Sequence, residues 1–308
     1  MLITAAICTY RRPEQLRAAV ESCRRQTLDR GAFKVLVVDN SPPGERPALS
    51  ADMADIEYVT EDQPGLSNAR NVAARRCGTP LIAYLDDDAD ADAGWLAALL
   101  EGFALDPAVA VVGGPILPDW GAPPPAWLHG RMLTYLSVLA WGGERPRYAE
   151  PHEWFAGANI AFRTEAIAAA GFFDTSLGRK GDGPVLLGNE ELAMSDRIER
   201  TGGRRAYVPA ALVRHHVPAE RLTRNWFRRR AAWQAASDLM TRPEQFGEDL
   251  PARVQRAAAG YRQRWPRGGD VDPDEDPEGF RAQLRVIYLQ TALLLSGADT
   301  DPGRAGAR

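Results

Sequence analysis

Up to Ile116, apolar runs alternate with segments of helical period. "LITAAIC" (2–8), "FKVLVVDN" (33–40), "IEYVT" (56–60), "PLIAYLD" (80–86) and "AVAVVGGPI" (108–116) are short and almost wholly apolar, the pattern of strands covered on both faces. "PEQLRAAVESCRRQ" (13–26) places Leu16, Ala19, Val20 and Cys23 at i, i+3, i+4 and i+7, with Pro13 suited to a first helical turn. "PGLSNARNVAARRC" (64–77) predicts a helix with its apolar face on Leu66, Ala69, Val72 and Ala73, and "GWLAALLEGFAL" (94–105) predicts another. Strands that alternate with helices predict a parallel sheet covered on both sides.

From Pro118 to Glu150 the pattern breaks, and "PDWGAPPPAW" predicts a Pro/Gly-rich loop within the domain. Regular signals return with a strand at "NIAF" and a helix from Thr164. "NEELAMSDRIERTGG" (189–203) predicts a helix capped by Asn189 and stopped at Gly202 or Gly203. Two short strands, "RRAYV" and "ALVRHHV", follow. Residues 219–240 and two later stretches predict helices, the last two joined by a flexible acidic connector over 266–279, before a disordered tail, "DTDPGRAGAR".

Composition narrows the classes. The 308 residues are 45% hydrophobic and 25% charged, ordinary for a globular enzyme-sized chain. A net charge of −4 marks no nucleic-acid binder. Cys8, Cys23 and Cys77 fit neither a disulfide framework nor a zinc pattern, so a reducing cytoplasm is the expected compartment; no signal peptide is expected, because the chain opens almost directly on a strand. "VIYLQTALLLSG" (286–297) is too short and too polar to span a bilayer.

In an open parallel sheet, ligands bind at the carboxyl ends of the strands. Three strands end on suggestive residues here: Thr9 and Tyr10, Asp39 and Asn40, and Asp86, Asp87 and Asp88. "CTYRRP" after the first strand has no glycine, so a dinucleotide fingerprint is excluded. Three adjacent carboxylates repel one another and call for a cation or water among them. Mg²⁺ and Mn²⁺ take one or two protein carboxylates and leave other positions to water and phosphate, so Asp86 and Asp88 at i, i+2 are candidate ligands of a nucleotide-bound ion. Asp90 and Asp92 fit a solvated turn.

The motifs "ICTYRRPEQLRAAVESCRRQT", "VLVVDNSP", "GLSNARNVA", "LIAYLDDDADADAGWL", "FAGANIAFRTEAI" and "GNEELAMSDRIERTGGRRAYVPAALVRHH" stand in the order of glycosyltransferase family 2, which the chain resembles over roughly residues 2–235. The resemblance implies an α/β, GT-A (Rossmann-like), mostly parallel sheet with helices on both faces. It implies a catalytic domain over 1–220, its nucleotide-binding half about 1–116 and its acceptor half about 117–220, with a helical carboxy-terminal extension over 221–308. It also implies an inverting transferase with a divalent cation, Mn²⁺ or Mg²⁺, and a nucleotide-sugar donor: a UDP-sugar first, a dTDP- or GDP-sugar behind it.

Carried over residue by residue, Thr9 and Tyr10 flank the base, Asp39 accepts from its ring N–H, and Arg70 contacts the nucleotide. Asp86, Asp87 and Asp88 form the D-x-D element toward ribose and metal. Gly157, Ala158 and Asn159 line the donor-sugar or acceptor pocket. Glu190 and Glu191 fill the Glu-Asp element, with Glu191 as the expected general base. Here the chain departs from the pattern, since a glutamate stands for the aspartate and Ala193 replaces a further acid. The residue types alone also fit a plain helix N-terminus.

His215 and His216 are candidate metal or diphosphate ligands by the same resemblance, and strand alternation lets only one of them face the ion. "RLTRNWFRRRAAWQ" (221–234) carries five arginines, with Leu222, Trp226 and Trp233 on one face. It fits a helix packed on the core with a basic solvated side, or peripheral contact with an anionic membrane. The acceptor is an unspecified hydroxyl in a polysaccharide, glycolipid or natural product. A nucleotidyltransferase and a degenerate nucleotide-sugar-binding protein are the alternatives. The missing glycines argue against the first and the intact D-x-D against the second.

Overall fold

The computed structural model describes residues 1–46, 55–181, 183, 185–265 and 271–297. Its larger compact unit takes in Met1–Asp119, Ser137–Val185 and Glu190–Val217, and a second unit takes in Trp120–Leu136, Leu186–Asn189 and the chain from Pro218 onward.

The first unit is built on an eight-stranded sheet. β1 (Ile3–Thr9), β2 (Phe33–Asp39), β3 (Glu57–Thr60) and β4 (Leu81–Asp86) are parallel, with β1 at the centre between β2 and β4. Their side chains divide by parity. Ile3, Ala5, Ile7, Val35, Val37, Ala83 and Leu85 join the core under α1 (Pro13–Arg24) and α3 (Trp95–Ala104). Ala6, Leu36, Val38, Ile82 and Tyr84 join the opposite core under α2 (Leu66–Arg76) and α5 (Glu190–Arg200), with α4 (Thr164–Ala169) on that same side. Burial on both faces is why these strands read as continuous apolar runs.

The sheet departs from the parallel expectation beyond β4. β6 (Val109–Gly113) does not pair with β4. β9 (Ile160–Arg163) lies between them, antiparallel to both. β10 (Arg204–Tyr207) pairs parallel to β6, and β8 (Arg147–Tyr148) closes the edge antiparallel. A smaller sheet contains β5 (Ala89–Ala91), β11 (Val213–Val217) and β7 (Ile116–Trp120) in the order β5-β11-β7. β5 falls inside the aspartate run, where alternation buries Ala89 and Ala91 and exposes Asp90 and Asp92. The stretch 118–150, expected to be all loop, contributes the end of β7, a 3-10 segment at Gly130–Leu136 and β8.

α2 is rotated from its expected face: its buried positions are Ser67, Ala69, Arg70, Asn71, Ala73 and Ala74, while Leu66 and Val72 are half-buried. Asn71 turns inward because its amide is satisfied there, donating to the Phe173 carbonyl (2.9 Å) and accepting from the Phe173 N–H (2.8 Å). Asn189 is not the helix cap. It is left-handed (φ 70°), donates to Asp238 Oδ1 and Thr241 Oγ1, and accepts from Gln234.

In the second unit, α6 (Arg224–Thr241), α7 (Leu250–Arg264) and α8 (Pro277–Ser296) pack around Ala235, Phe246, Leu250, Leu289, Ala292 and Leu293. Thr223 caps α6 through the Trp226 N–H. The buried stripe of α6 runs through Phe227, Ala231 and Ala235 instead of Trp226 and Trp233, because Phe227 is clasped by Trp127 and Tyr135. Of its arginines, Arg224 pairs with Asp272, Arg228 donates to Gln283 and Asn225, and Arg230 donates to Gln234. α8 begins inside the expected acidic connector, where Asp276 caps it by accepting from the Gly279 N–H. Residues 266–270 of that connector and the expected disordered tail, 299–308, lie outside the described residues. No helix among the described residues is long and apolar enough to cross a membrane.

Asn159 ties the two sheets at the entry to β9. It is fully buried, accepts from Trp95 Nε1 (2.8 Å) and donates to the carbonyls of Pro115 (3.0 Å) and Ala211 (2.7 Å). Its amide is thus taken up within the fold, and Ala158 beside it is buried with Ile116, Leu139 and Ala156. Asn159→Ala strands a buried indole N–H and the Ala211 carbonyl, while the Pro115 carbonyl keeps the Val213 N–H, so chemical denaturation is expected to show a loss of about 1–3 kcal/mol. A loss under about 0.5 kcal/mol, the range of an ordinary surface substitution, would remove this clamp from the account.

Candidate active site

The aspartate run ends β4, and the parity of the strand separates its members. Asp86 follows the side that carries Tyr84 and reaches the α2 face, where Arg70 Nη2 approaches its Oδ1 at 3.4 Å. Asp87 turns to the α1 side, where Thr9 Oγ1 donates to its Oδ2 (2.8 Å) and Arg12 Nη1 to its Oδ1 (3.0 Å). Asp88 receives the same Arg12 nitrogen on Oδ2 (2.9 Å). Thr9 is thus spent on Asp87. Tyr10 is half-buried, its ring beneath the Arg11 guanidinium and close to Gly181.

β11 brings the histidines. In its antiparallel register with β5, His215 stands opposite Ala89, and the His216 N–H donates to the Asp88 carbonyl (2.8 Å). His215 is buried, with Nε2 at 3.2 Å from Asp88 Oδ1. His216 points the other way and pairs with Asp119 at 3.1 Å, outside the cluster that His215 joins. One ligand atom each from Asp86, Asp88 and His215 lies within 4.8 Å of the others. Buried His215 Nδ1 makes no hydrogen bond among the described residues. Two carboxylates and an imidazole converging at a strand end make a donor set that fits a divalent transition ion.

Arg70 joins this edge to the start of α5. Its guanidinium and Glu190 are 3% and 4% exposed and meet at 2.5 Å, with Glu191 Oε2 at 3.9 Å. The guanidinium lies near the rings of Tyr84 and Phe173. It is enclosed, in a place where nucleotide contact had been expected. Gly157 is required by this packing, since a Cβ there would lie 1.9 Å from Arg70 Nη2, and its N–H donates to Glu191 Oε1 (3.2 Å). Oε2 of Glu190 and of Glu191 accepts no hydrogen bond. Burial, reinforced by the adjacent charge of Glu190 and opposed by Arg70, pushes the Glu191 carboxyl up to about 8. Burial likewise pushes Asp87 up to about 6, against the pull of Arg12. A buried glutamate raised to about 8, with one oxygen free of hydrogen bonds, exchanges a proton close to the working pH of an enzyme.

Asp39 ends β2. It is fully buried, its Oδ1 accepts from the Ser41 N–H (2.8 Å) and its Oδ2 accepts from the Tyr58 hydroxyl. It closes the turn after β2. Asn40 holds the neighbouring loop, donating to the carbonyls of Glu61 and Gln63 and accepting from the Gly65 N–H. Arg12 was missed in the sequence, where it reads as one of two exposed arginines. The signal was the need for a cation among three aspartates.

A family model described as Glycosyl transferase family 2 matches residues 4–169. The chain is 30% identical over 245 residues to a glucosyl-dolichyl phosphate glucuronosyltransferase of Haloferax volcanii, covering 77% of this chain and 76% of that one. It is 29% identical over 297 residues to the succinoglycan biosynthesis protein ExoM of Rhizobium meliloti, covering 94% and 86%. Among solved structures it resembles the mannosyltransferase PcManGT from Pyrobaculum calidifontis in complex with GDP-Man and Mn²⁺, with a TM-score of 0.54 and 20% identity over 98% of this chain and 77% of that one. It also resembles GalNAc-T7 with UDP, GalNAc and Mn²⁺, with a TM-score of 0.54 and 15% identity over 96% and 57%. These likenesses establish the fold as the expected GT-A arrangement.

The raised Glu191 carboxyl makes stability depend on pH. The unfolded chain releases this proton near the usual 4.5 and the folded chain near 8. Folded protein therefore binds the extra proton between those values, and the stabilisation, full below the lower one, is lost as pH rises through the upper. Glu191→Gln has no proton to lose. Thermal unfolding without metal is expected to show the variant gaining on the parent protein between about pH 5 and pH 9. Parallel Tm-versus-pH curves would contradict a raised Glu191.

Proposed function

The chain belongs to glycosyltransferase family 2 and is a glycosyl-transfer enzyme, and from that premise we propose a cation-dependent, inverting transfer from a nucleoside-diphosphate sugar to a hydroxyl. The convergence of Asp86, Asp88 and His215 at the end of β4 carries this reading. These three residues would hold the ion. A nitrogen beside two oxygens favours Mn²⁺ over Mg²⁺, which prefers an all-oxygen shell. Bound there, the cation supplies Lewis-acid neutralisation of the leaving diphosphate.

The chain supplies the rest. Glu191, once ionised, takes the proton of the attacking hydroxyl at Oε2, which accepts no hydrogen bond among the described residues. Gly157 holds the other carboxylate oxygen, and Arg70, anchored by Glu190, keeps a positive charge beside the pair. A single base acting on the acceptor suits one direct displacement with inversion. UDP is the first candidate nucleotide, with dTDP or GDP behind it. The structural relatives support a nucleotide-sugar, one holding UDP and one GDP-Man. The acceptor we propose is a sugar hydroxyl, in keeping with relatives named for a glucosyl-dolichyl phosphate and for succinoglycan.

Calorimetric titration of UDP with and without Mn²⁺ tests the ion. Affinity is expected to rise with Mn²⁺ and fall with chelator in the parent protein, and Asp88→Asn and His215→Ala are each expected to lose most of that dependence. Equal affinity with and without metal would sink the assignment.

Turnover on a panel of nucleotide-sugars tests the base. Glu191→Gln is expected to leave donor binding almost unchanged while cutting turnover by roughly 10²–10⁴-fold. Glu190→Gln is expected to cost less activity but also to lower Tm, because it weakens a buried partner of Arg70. Full activity in Glu191→Gln moves the base elsewhere.

A further inference from the structure

We propose that Arg12 is a donor-positioning residue, setting Asp88 for the cation with one guanidinium nitrogen and offering the rest of its fork to the diphosphate of the nucleotide. The inference rests on the cation reading of Asp86, Asp88 and His215. Arg12 Nη1 touches Asp88 on Oδ2 (2.9 Å), whereas Asp88 Oδ1 is the oxygen that faces His215 Nε2 (3.2 Å). Arg12 therefore grips the back of this carboxylate and leaves its front toward the ligand cluster. The same nitrogen holds Asp87 Oδ1 (3.0 Å), so both acids are served by one corner of the guanidinium. The Arg12 side chain is 38% exposed and the two carboxylates 8% and 9%, so it forms the outer layer over buried acids. A guanidinium carries five N–H donors in a fixed plane, which suits paired phosphate oxygens better than a point charge does.

The backbone is arranged to put it there. Arg11, between Tyr10 and Arg12, is left-handed (φ 57°), a conformation uncommon for a long side chain. The strained turn is fastened by its N–H to Ser41 Oγ (2.8 Å) and by its Nη2 to Glu45 Oε1 (2.6 Å). Arg12 follows, its carbonyl accepting the Leu16 N–H (2.9 Å) as α1 begins at Pro13. The turn sends the chain back over the end of β4 instead of out into solvent. The group recognised is a diphosphate, so Arg12 should separate UDP from UMP, which lacks the second phosphate.

Titration of the full chain with Mn²⁺ alone, UDP with Mn²⁺ and UMP with Mn²⁺ tests this in the parent protein, Arg12→Gln and Arg12→Lys. Arg12→Gln is expected to weaken UDP about tenfold or more, the loss of a charge-assisted contact, with UMP little changed. Mn²⁺ alone should bind more weakly, because Asp88 loses the guanidinium contact that holds its Oδ2. Arg12→Lys should restore part of the UDP affinity. Unchanged UDP affinity in Arg12→Gln overturns the proposal. So does equal weakening of UDP and UMP, or loss of both together with a fall in Tm, either of which makes Arg12 a structural clamp. Indifference of the parent protein to Mn²⁺ overturns the cation reading instead, and the UDP-to-UMP comparison on Arg12→Gln without metal then still decides the role of Arg12.

Discussion

The buried guanidinium of Arg70 is the constraint around which this molecule is arranged. A charge taken out of water must be paired and hydrogen-bonded or the fold cannot carry it. Arg70 meets that demand from four directions. Glu190 supplies the near carboxylate, Asp86 the far one, Tyr84 and Phe173 supply ring faces, and Gly157 supplies the space of a missing side chain. The Tyr84 hydroxyl also donates to the Arg70 carbonyl (2.9 Å). The end of β4, the middle of α2, the start of α5 and the loop before β9 are thus registered against one side chain.

That registration has an electrostatic consequence. Asp86, Asp87, Asp88, Glu190 and Glu191 share two guanidinium groups, those of Arg12 and Arg70. Burial above all, with the neighbouring acids adding to it, raises Glu191 and Asp87 so that each holds its proton more tightly. A fold seeking only stability would dilute such a cluster with apolar residues, since unpaired buried charge is destabilising. Its retention is intelligible where a divalent ion and a proton acceptor are both required within one cleft.

Much of this was legible in the sequence. Strands β1, β2 and β4 announce themselves because both of their faces are buried, and Asp86–Asp88 could be placed at a sheet edge because β4 reads so cleanly. What was illegible depends on partners far away in the chain. Arg70 and Asn71 lie on the buried face of α2, where periodicity alone assigns solvent to polar residues. Each is satisfied by a residue about a hundred positions on. Asn159 sits in a motif that suggests a pocket, but its amide is consumed by Trp95, Pro115 and Ala211. The choice between His215 and His216 needed the register of β11 on β5, and no local pattern supplies a register. The antiparallel direction of β9 escaped notice because a short buried run looks alike in either direction.

Strand parity gives the site its division of labour. Consecutive residues at the end of a strand face opposite sides of the sheet, so Asp86 and Asp87 are delivered to different chemistry by the pleat alone. Asp86 looks toward Arg70 and, through it, the glutamates at the start of α5. Asp87 looks toward Thr9 and Arg12 on the α1 side. Asp88, beyond the strand, closes the set with His215. A one-residue slip of β4 would exchange these partners and leave Arg70 facing the wrong carboxylate. The apolar alternation of β4, with Ile82 and Tyr84 under one core and Ala83 and Leu85 under the other, forbids that slip. The packing of the sheet and the chemistry at its edge are therefore set by the same register.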